Sequence, residues 1–185
     1  MSANLLIITA LESELKREYL PVGVEIIYCG VGKINSALAS ARAIDQFSPR
    51  QILNFGSVGK INPSLEGLLS IGKVIQRDMN AEPLAPRGET PFCARPQEYL
   101  SGGQFICGSG DSFVTAYDPW LKDQGIDVVD MELFAIAAVA HDHGIPWASF
   151  KYITDDANEN SGNDWREKVH FGQDLFLQEL KQLLS

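Results

Sequence analysis

The stretch GIDVVDMELFAIAAVAHDHGIPWASFKYITD, residues 125–155, decides the fold. A short apolar run, IDVV, leads straight into MELFAIAAVAHDHG, a helix apolar almost all round, and PWASFKYITD then reads as a further apolar strand. A strand written as an unbroken apolar run is buried on both faces, which points to a largely parallel sheet with helices packed on each side. Working outward, the same alternation recurs. Strands are predicted at NLLIITA (4–10), VEIIYCG (24–30), QILNFGS (51–57), IGKVIQR (71–77) and GQFICGSGD (103–111). Helices are predicted at LESELKREYL (11–20), KINSALASARAIDQF (33–47) and the amphipathic DWREKVHFGQDLFLQELKQLL (164–184). The Pro- and Gly-rich segment 78–100 reads as a long irregular loop. The expected fold is α/β, a three-layer α/β/α arrangement with a mixed, largely parallel central sheet. No linker divides the chain, so one domain is expected over 1–185, with its ligand at the carboxyl ends of the strands.

Composition narrows the function. The chain has 185 residues, 45% of them hydrophobic, and 15 basic against 24 acidic side chains give a net charge of −9. That sign argues against nucleic-acid or anionic-membrane partners and leaves room for a small ligand in a local pocket. Three widely spaced cysteines (Cys29, Cys93, Cys107) without a CxxC pair suit neither a disulfide scaffold nor a zinc knuckle, and fit a reducing compartment. The opening residues lack the basic region and cleavage site of a signal peptide, and no apolar run is long enough to span a bilayer, so a cytoplasmic location is expected.

Several motifs invite a chemistry they do not complete. GVGKIN (30–35) follows a strand and opens a helix, but Asn35 stands at the third glycine of a dinucleotide fingerprint, so the bland reading is a tight strand-to-helix turn. GLLSIGK (67–73) has Walker spacing, but Val74 replaces the Ser or Thr that holds magnesium, and a strand follows. His141 and His143 are two apart on a helix and point to different faces, which does not suit a shared metal.

Three acids stand near strand ends: Glu14 after the first strand, Glu132 in the first turn of the apolar helix, and Asp155 at the end of WASFKYIT. Each has an ordinary explanation, as a solvated helix face, a helix-dipole partner and a turn aspartate respectively. Together, at the ends of three strands of one sheet, they form a candidate acid/base set.

With TALESEL (9–15), GVGKINSA (30–37), NFGSVGKI (54–61), GSGDSFV (108–114), VDMELFAIA (129–137) and FKYITDDAN (150–158), the chain resembles the nucleoside phosphorylase and nucleosidase superfamily. It is most similar to the branch of 5′-methylthioadenosine/S-adenosylhomocysteine nucleosidases. The resemblance implies a nucleoside phosphorylase-like fold, a purine nucleoside substrate, no cofactor or metal, and a homodimer. It implies that Glu14 activates the hydrolytic water and that Asp155 is the acid on the purine side. It further implies that Glu132 grips ribose hydroxyls, Met131 covers the ribose, Phe113 stacks on the purine and Val114 contacts the base. Ser57 and Gly59, in the glycine turn, would sit near the ribose and water. Asp155 would have to arrive protonated, which an apolar wall of Phe113, Val114 and Ile153 favours.

Phosphorylases of the superfamily carry an arginine where this chain has Asn54, and the TALESE turn is acidic, so water is favoured over phosphate. Phosphorolysis, futalosine-type hydrolysis and a non-catalytic purine-binding module stay open as alternatives. Departures from the branch include Leu11 for a methionine, Lys151 for an arginine, and a shorter segment between Ile75 and Gly103, from which part of the base pocket and dimer contact usually come. The apolar stretches near Phe92 and Tyr99 face either a partner or the chain's own sheet.

Overall fold

A computed structural model describes residues 5–185. The strands are β1 (Leu5–Thr9), β2 (Glu25–Tyr28), β3 (Gln51–Lys60), β4 (Leu68–Gln76), β5 (Glu98–Leu100), β6 (Phe105–Ser109), β7 (Val128–Asp130) and β8 (Trp147–Asp155). The helices are α1 (Lys33–Phe47), α2 (Pro119–Asp123), α3 (Leu133–Asp142), α4 (Ser161–Lys168) and α5 (Gln173–Leu183). Asn4, placed in the first strand by its sequence, lies outside the described residues.

The fold is a mixed α/β fold built on one mixed sheet. β1 runs parallel to β2 and β3, β3 parallel to β8, β4 parallel to β6, and β6 parallel to β7. β3 meets β7 antiparallel, and β4 is antiparallel to β5 and β8. These pairings close a ring, β3–β7–β6–β4–β8–β3, from which β1 and β2 extend. The unbroken apolar run of β1 follows from burial on both sides. Leu6 and Ile8 meet Ala43 and Ile44 of α1 and Ile136 and Ala140 of α3. Leu5 and Ile7 meet Phe176 and Leu180 of α5, where Phe55 and Phe176 stack with ring centroids 4.5 Å apart. Among the described residues, no helix is long and apolar enough to cross a membrane.

Two predicted helices are corrected. Residues 11–20 do not form a helix: they make a turn at Glu12–Glu14 and a short 3-10 turn at Arg17–Tyr19. Tertiary partners take the backbone groups a helix would use. Lys16 N donates to Gln173 Oε1, Arg17 N donates to Tyr28 Oη, and Leu15 O accepts from that hydroxyl, while the Leu15 side chain is fully buried. The terminal helix is two helices, α4 and α5. They part around Gly172, where a Cβ would lie 2.4 Å from Cβ of Tyr152, so the chain presses onto that ring at a residue without a side chain. Two elements were not foreseen: β5, at the end of the 78–100 segment, and the short α2. Tyr99 of β5 is buried and packs edge-on against Phe134, whereas Phe92 is 95% exposed.

Candidate active site

The carboxyl ends of β1, β3, β4, β7 and β8 open into a cleft of about 240 Å³. All eight residues singled out from the sequence line it: Glu14, Ser57, Gly59, Phe113, Val114, Met131, Glu132 and Asp155. The three acids, spread from residue 14 to residue 155, therefore share one cavity.

Glu14 is only 3% exposed and is the hub of the turn that replaces the expected helix. Its Oε2 accepts from Leu11 N and from the Thr9 hydroxyl, both at 3.1 Å. Its Oε1 accepts from Ser57 N at 2.8 Å and Ser57 Oγ at 2.7 Å. The turn folds around the carboxylate, which is why Glu14 points into the cleft rather than along a solvated helix face.

Glu132 stands at the N-cap position of α3 but makes no capping bond. The first α3 amides are satisfied by others: Leu133 N donates to Asp130 Oδ2 at 2.9 Å and Phe134 N donates to Ser109 Oγ at 2.9 Å. Glu132 is thereby released to reach across to Gly32, the N-cap of α1, whose N–H donates to its Oε1 at 2.9 Å. Gly32 has φ of 97°, a conformation that favours glycine. The GVGKIN turn is thus the tight turn read from the sequence, and it also supplies a backbone donor to the site. Burial first, then the nearby Asp130 carboxylate, push the Glu132 carboxyl up to about 7, against the opposing pull of Lys151 and the Gly32 amide.

Beneath Glu132 lies a pair that sequence reading did not assign to the site. Lys151 Nζ donates to Asp130 Oδ2 at 2.7 Å, with both side chains out of solvent. Burial works against both charges, yet each ion holds the other: Asp130 stays below the usual carboxylate range and Lys151 above the usual lysine range. The Ser109 hydroxyl also donates to Asp130. A Cβ on Gly56 would sit 3.2 Å from Lys151 Nζ and 3.5 Å from Glu14 Oε1, so this glycine lets the ammonium and the Glu14 carboxylate pack against β3.

Asp155 ends β8 at a bulge. Val58 pairs with Ile153 but Gly59 pairs with Asp155, so Thr154 is the extra residue. The bulge sets Asp155 over Gly59, where a Cβ would come within 2.6 Å of Asp155 Oδ1. Its surroundings are not purely apolar: Thr154 Oγ1 donates to Oδ2 at 3.1 Å and Ala157 N to Oδ1 at 2.9 Å. Phe113 and Val114 arrive on the segment between β6 and α2. Arg77, a cleft-lining residue the sequence did not flag, holds that segment. Its guanidinium donates to the carbonyls of Gly108, Gly110 and Ser112.

Trp165 of α4 was also missed; its Nε1 donates to Ser57 Oγ at 2.8 Å. The only signal available was its place ten residues beyond Asp155 in an otherwise polar helix start. Asn54, the position compared with a phosphorylase arginine, is buried, donating to Ile8 O and accepting from Ser149 Oγ.

Comparison with known proteins places the chain in a family and a fold. A family model described as the phosphorylase superfamily matches residues 19–185. The 5′-methylthioadenosine/S-adenosylhomocysteine nucleosidase of Staphylococcus haemolyticus is 28% identical over 171 residues, covering 78% of this chain and 73% of that protein. A Helicobacter pylori MTAN mutant solved with 5′-methylthioadenosine in its active site superposes with a TM-score of 0.86 at 21% identity, covering 98% of each chain. A futalosine hydrolase mutant from Helicobacter pylori superposes with a TM-score of 0.84 at 18% identity, covering 96% of each chain. These two likenesses show a shared fold.

Proposed function

The chain belongs to the phosphorylase superfamily, and from that premise we propose that it is a nucleosidase that hydrolyses the N-glycosidic bond of a purine nucleoside of the methylthioadenosine or adenosylhomocysteine type. One observation carries this: Glu14, Glu132 and Asp155, remote in the chain, line one cleft beside an aromatic side chain. The names of the curated relatives support the substrate class.

Breaking the bond leaves positive charge on the sugar and negative charge on the departing base. Asp155 donates a proton to a purine ring nitrogen, so that the base leaves neutral. Its second oxygen suits an exocyclic amine, which favours a 6-amino purine. Glu132, as a carboxylate, accepts from the ribose hydroxyls and stabilises the oxocarbenium-like sugar. Glu14 serves as the base for water on the opposite side. Phe113 stacks on the purine, Val114 contacts it through its backbone, Met131 covers the ribose, and Ser57 and Gly59 form the wall beneath.

Phosphate is a poor nucleophile here, because the Glu14 carboxylate faces the place where it would bind and Asn54 is occupied elsewhere. The test is chromatographic detection of free base from methylthioadenosine, adenosylhomocysteine, inosine and futalosine, each with and without phosphate. Base release from the first two, independent of phosphate, is expected. Release that requires phosphate, or that occurs with futalosine alone, replaces this reading. Asp155→Asn should lower turnover on methylthioadenosine by ~10² or more, as for loss of a general acid; an unchanged rate removes Asp155 from that role.

A further inference from the structure

We propose that Ser57 is a proton relay, taking a proton from the attacking water while passing its own to Glu14, with Trp165 as the residue that fixes the relay's direction. This rests on the hydrolase reading above.

A carboxylate offers about four lone-pair sites, two on each oxygen. Glu14 has protein donors at all of them: Ser57 N and Ser57 Oγ on Oε1, Leu11 N and Thr9 Oγ1 on Oε2. A water molecule approaching from the cleft finds no free site on the base that is to accept its proton. Two of the four donors are backbone amides, which leave only if the chain moves. Thr9 is fully buried and does not line the cleft. Ser57 does line it. Its hydroxyl oxygen has two lone pairs, and Trp165 Nε1 occupies one. Among the described residues no second protein donor reaches Ser57 Oγ, so the other lone pair is open to water.

The step balances with one water as the only added reactant. The water's O–H bond breaks, and its proton forms a new bond to Ser57 Oγ. The original Ser57 proton moves along the 2.7 Å hydrogen bond to Glu14 Oε1. The water oxygen bonds to the anomeric carbon as the carbon–nitrogen bond breaks, and that electron pair leaves with the base, which is protonated by Asp155. Trp165 acts through Ser57. An indole N–H can only donate, so Ser57 cannot turn its proton toward it and has Glu14 as its acceptor. Trp165 lies on α4, a helix separate from α5, and lines the cleft.

Direct and relayed proton transfer predict opposite outcomes for Ser57→Ala. If Glu14 acts directly, the substitution frees a lone pair on Oε1, and turnover stays the same or rises. The relay predicts that kcat falls by ~10² or more while KM changes little and the thermal midpoint shows a folded protein. Ser57→Thr, which restores a hydroxyl, should recover at least about ten-fold of that loss; equal losses in both variants overturn the relay. Trp165→Phe keeps an aromatic wall and removes the donor, so kcat should drop several-fold at unchanged KM; unchanged kcat removes Trp165 from the proposal. Glu14→Gln separates the two levels. If it is inactive while Ser57→Ala is active, only the relay fails. If Glu14→Gln is fully active, the hydrolase reading of Glu14 fails first.

Discussion

The two ends of the cleft are built differently. The end carrying Glu14, Ser57 and Glu132 is rooted in β3 and in the segments that follow β1 and β7. Its carboxylates are 3% and 8% exposed, held by backbone amides and underlain by the Lys151–Asp130 pair. The end carrying Phe113 and Val114 is a segment between elements, with Phe113 half exposed and Tyr117 largely exposed. It is tied down through Arg77 and through Asp111 N, which donates to Asp78 Oδ2 at 2.8 Å. The contrast assigns each end its task. Under the proposed function, the charges that must be in place when the bond breaks are the ones fixed in the scaffold, where they need no reorganisation. On the same reading, the contacts that recognise the base belong to the more exposed segment between elements.

The largest effect that would break this comparison is at the fixed end. Lys151→Met leaves the Asp130 carboxylate buried without its cation, and loss of one partner of such a pair destabilises by about 3–5 kcal/mol. Urea unfolding measures it. A loss below about 1 kcal/mol would place this pair among weak surface bridges and deny the site its rigid base.

Glu132 offers the next largest. Its folded carboxyl titrates near 7, above the ordinary 4.5, so the unfolded chain loses this proton first. Between those values the native state holds more protons, and stability from this group falls as pH rises from about 4.5 through about 7 and then levels. Glu132→Gln removes the buried charge. It should stabilise the protein at pH 8 by roughly 3 kcal/mol relative to its effect at pH 4 and, on the proposed role, abolish ribose recognition. On the proposed role of Glu132 as a carboxylate toward the ribose, kcat/KM of the unsubstituted protein should climb with pH through about 7. A thermal-shift series from pH 4 to 9 and a pH–rate profile test both; a Gln variant no more stable at pH 8 than at pH 4 removes the electrostatic strain.

The same contrast explains what the sequence disclosed. Residues 33–47 were legible to the residue, because period, small apolar positions and bounding turns all agree with α1. The apolar strands were legible because β1 and β3 are buried on both faces, while β8 alternates buried and half-buried positions. The stretch 11–20 has good helix formers and still bends, because Tyr28 and Gln173 from outside the stretch, together with the Glu14 carboxylate within it, claim its backbone. The acids were visible as charges at strand ends, but their donors were not. Gly32 N lies 100 residues from Glu132, and Ser57 N lies 43 from Glu14; Trp165, which donates to Ser57, lies 108 from it. Gly59 was read as part of the ligand wall, yet its lack of a side chain is what admits Asp155 at the bulge, a register detail that no run of letters encodes.

The smallest effect tests the other end. Phe113 is 49% exposed, so little of its area supports the core, and Phe113→Ala should change unfolding free energy by no more than about 0.5 kcal/mol. Stacking of a base on an aromatic ring is worth about 1–3 kcal/mol, so the same variant should weaken adenine binding, read by calorimetric titration, roughly ten- to a hundred-fold. On the proposed stacking role the ring meets the base before and during bond cleavage alike, so KM should rise while kcat moves little. If Phe113→Ala instead lowers the thermal midpoint by many degrees, the segment belongs to the packed body of the protein, and the division between a fixed sugar end and an adaptable base end does not hold. If kcat falls as steeply as binding, the ring acts on the transition state itself, and the recognition segment shares in the chemistry assigned to the sheet.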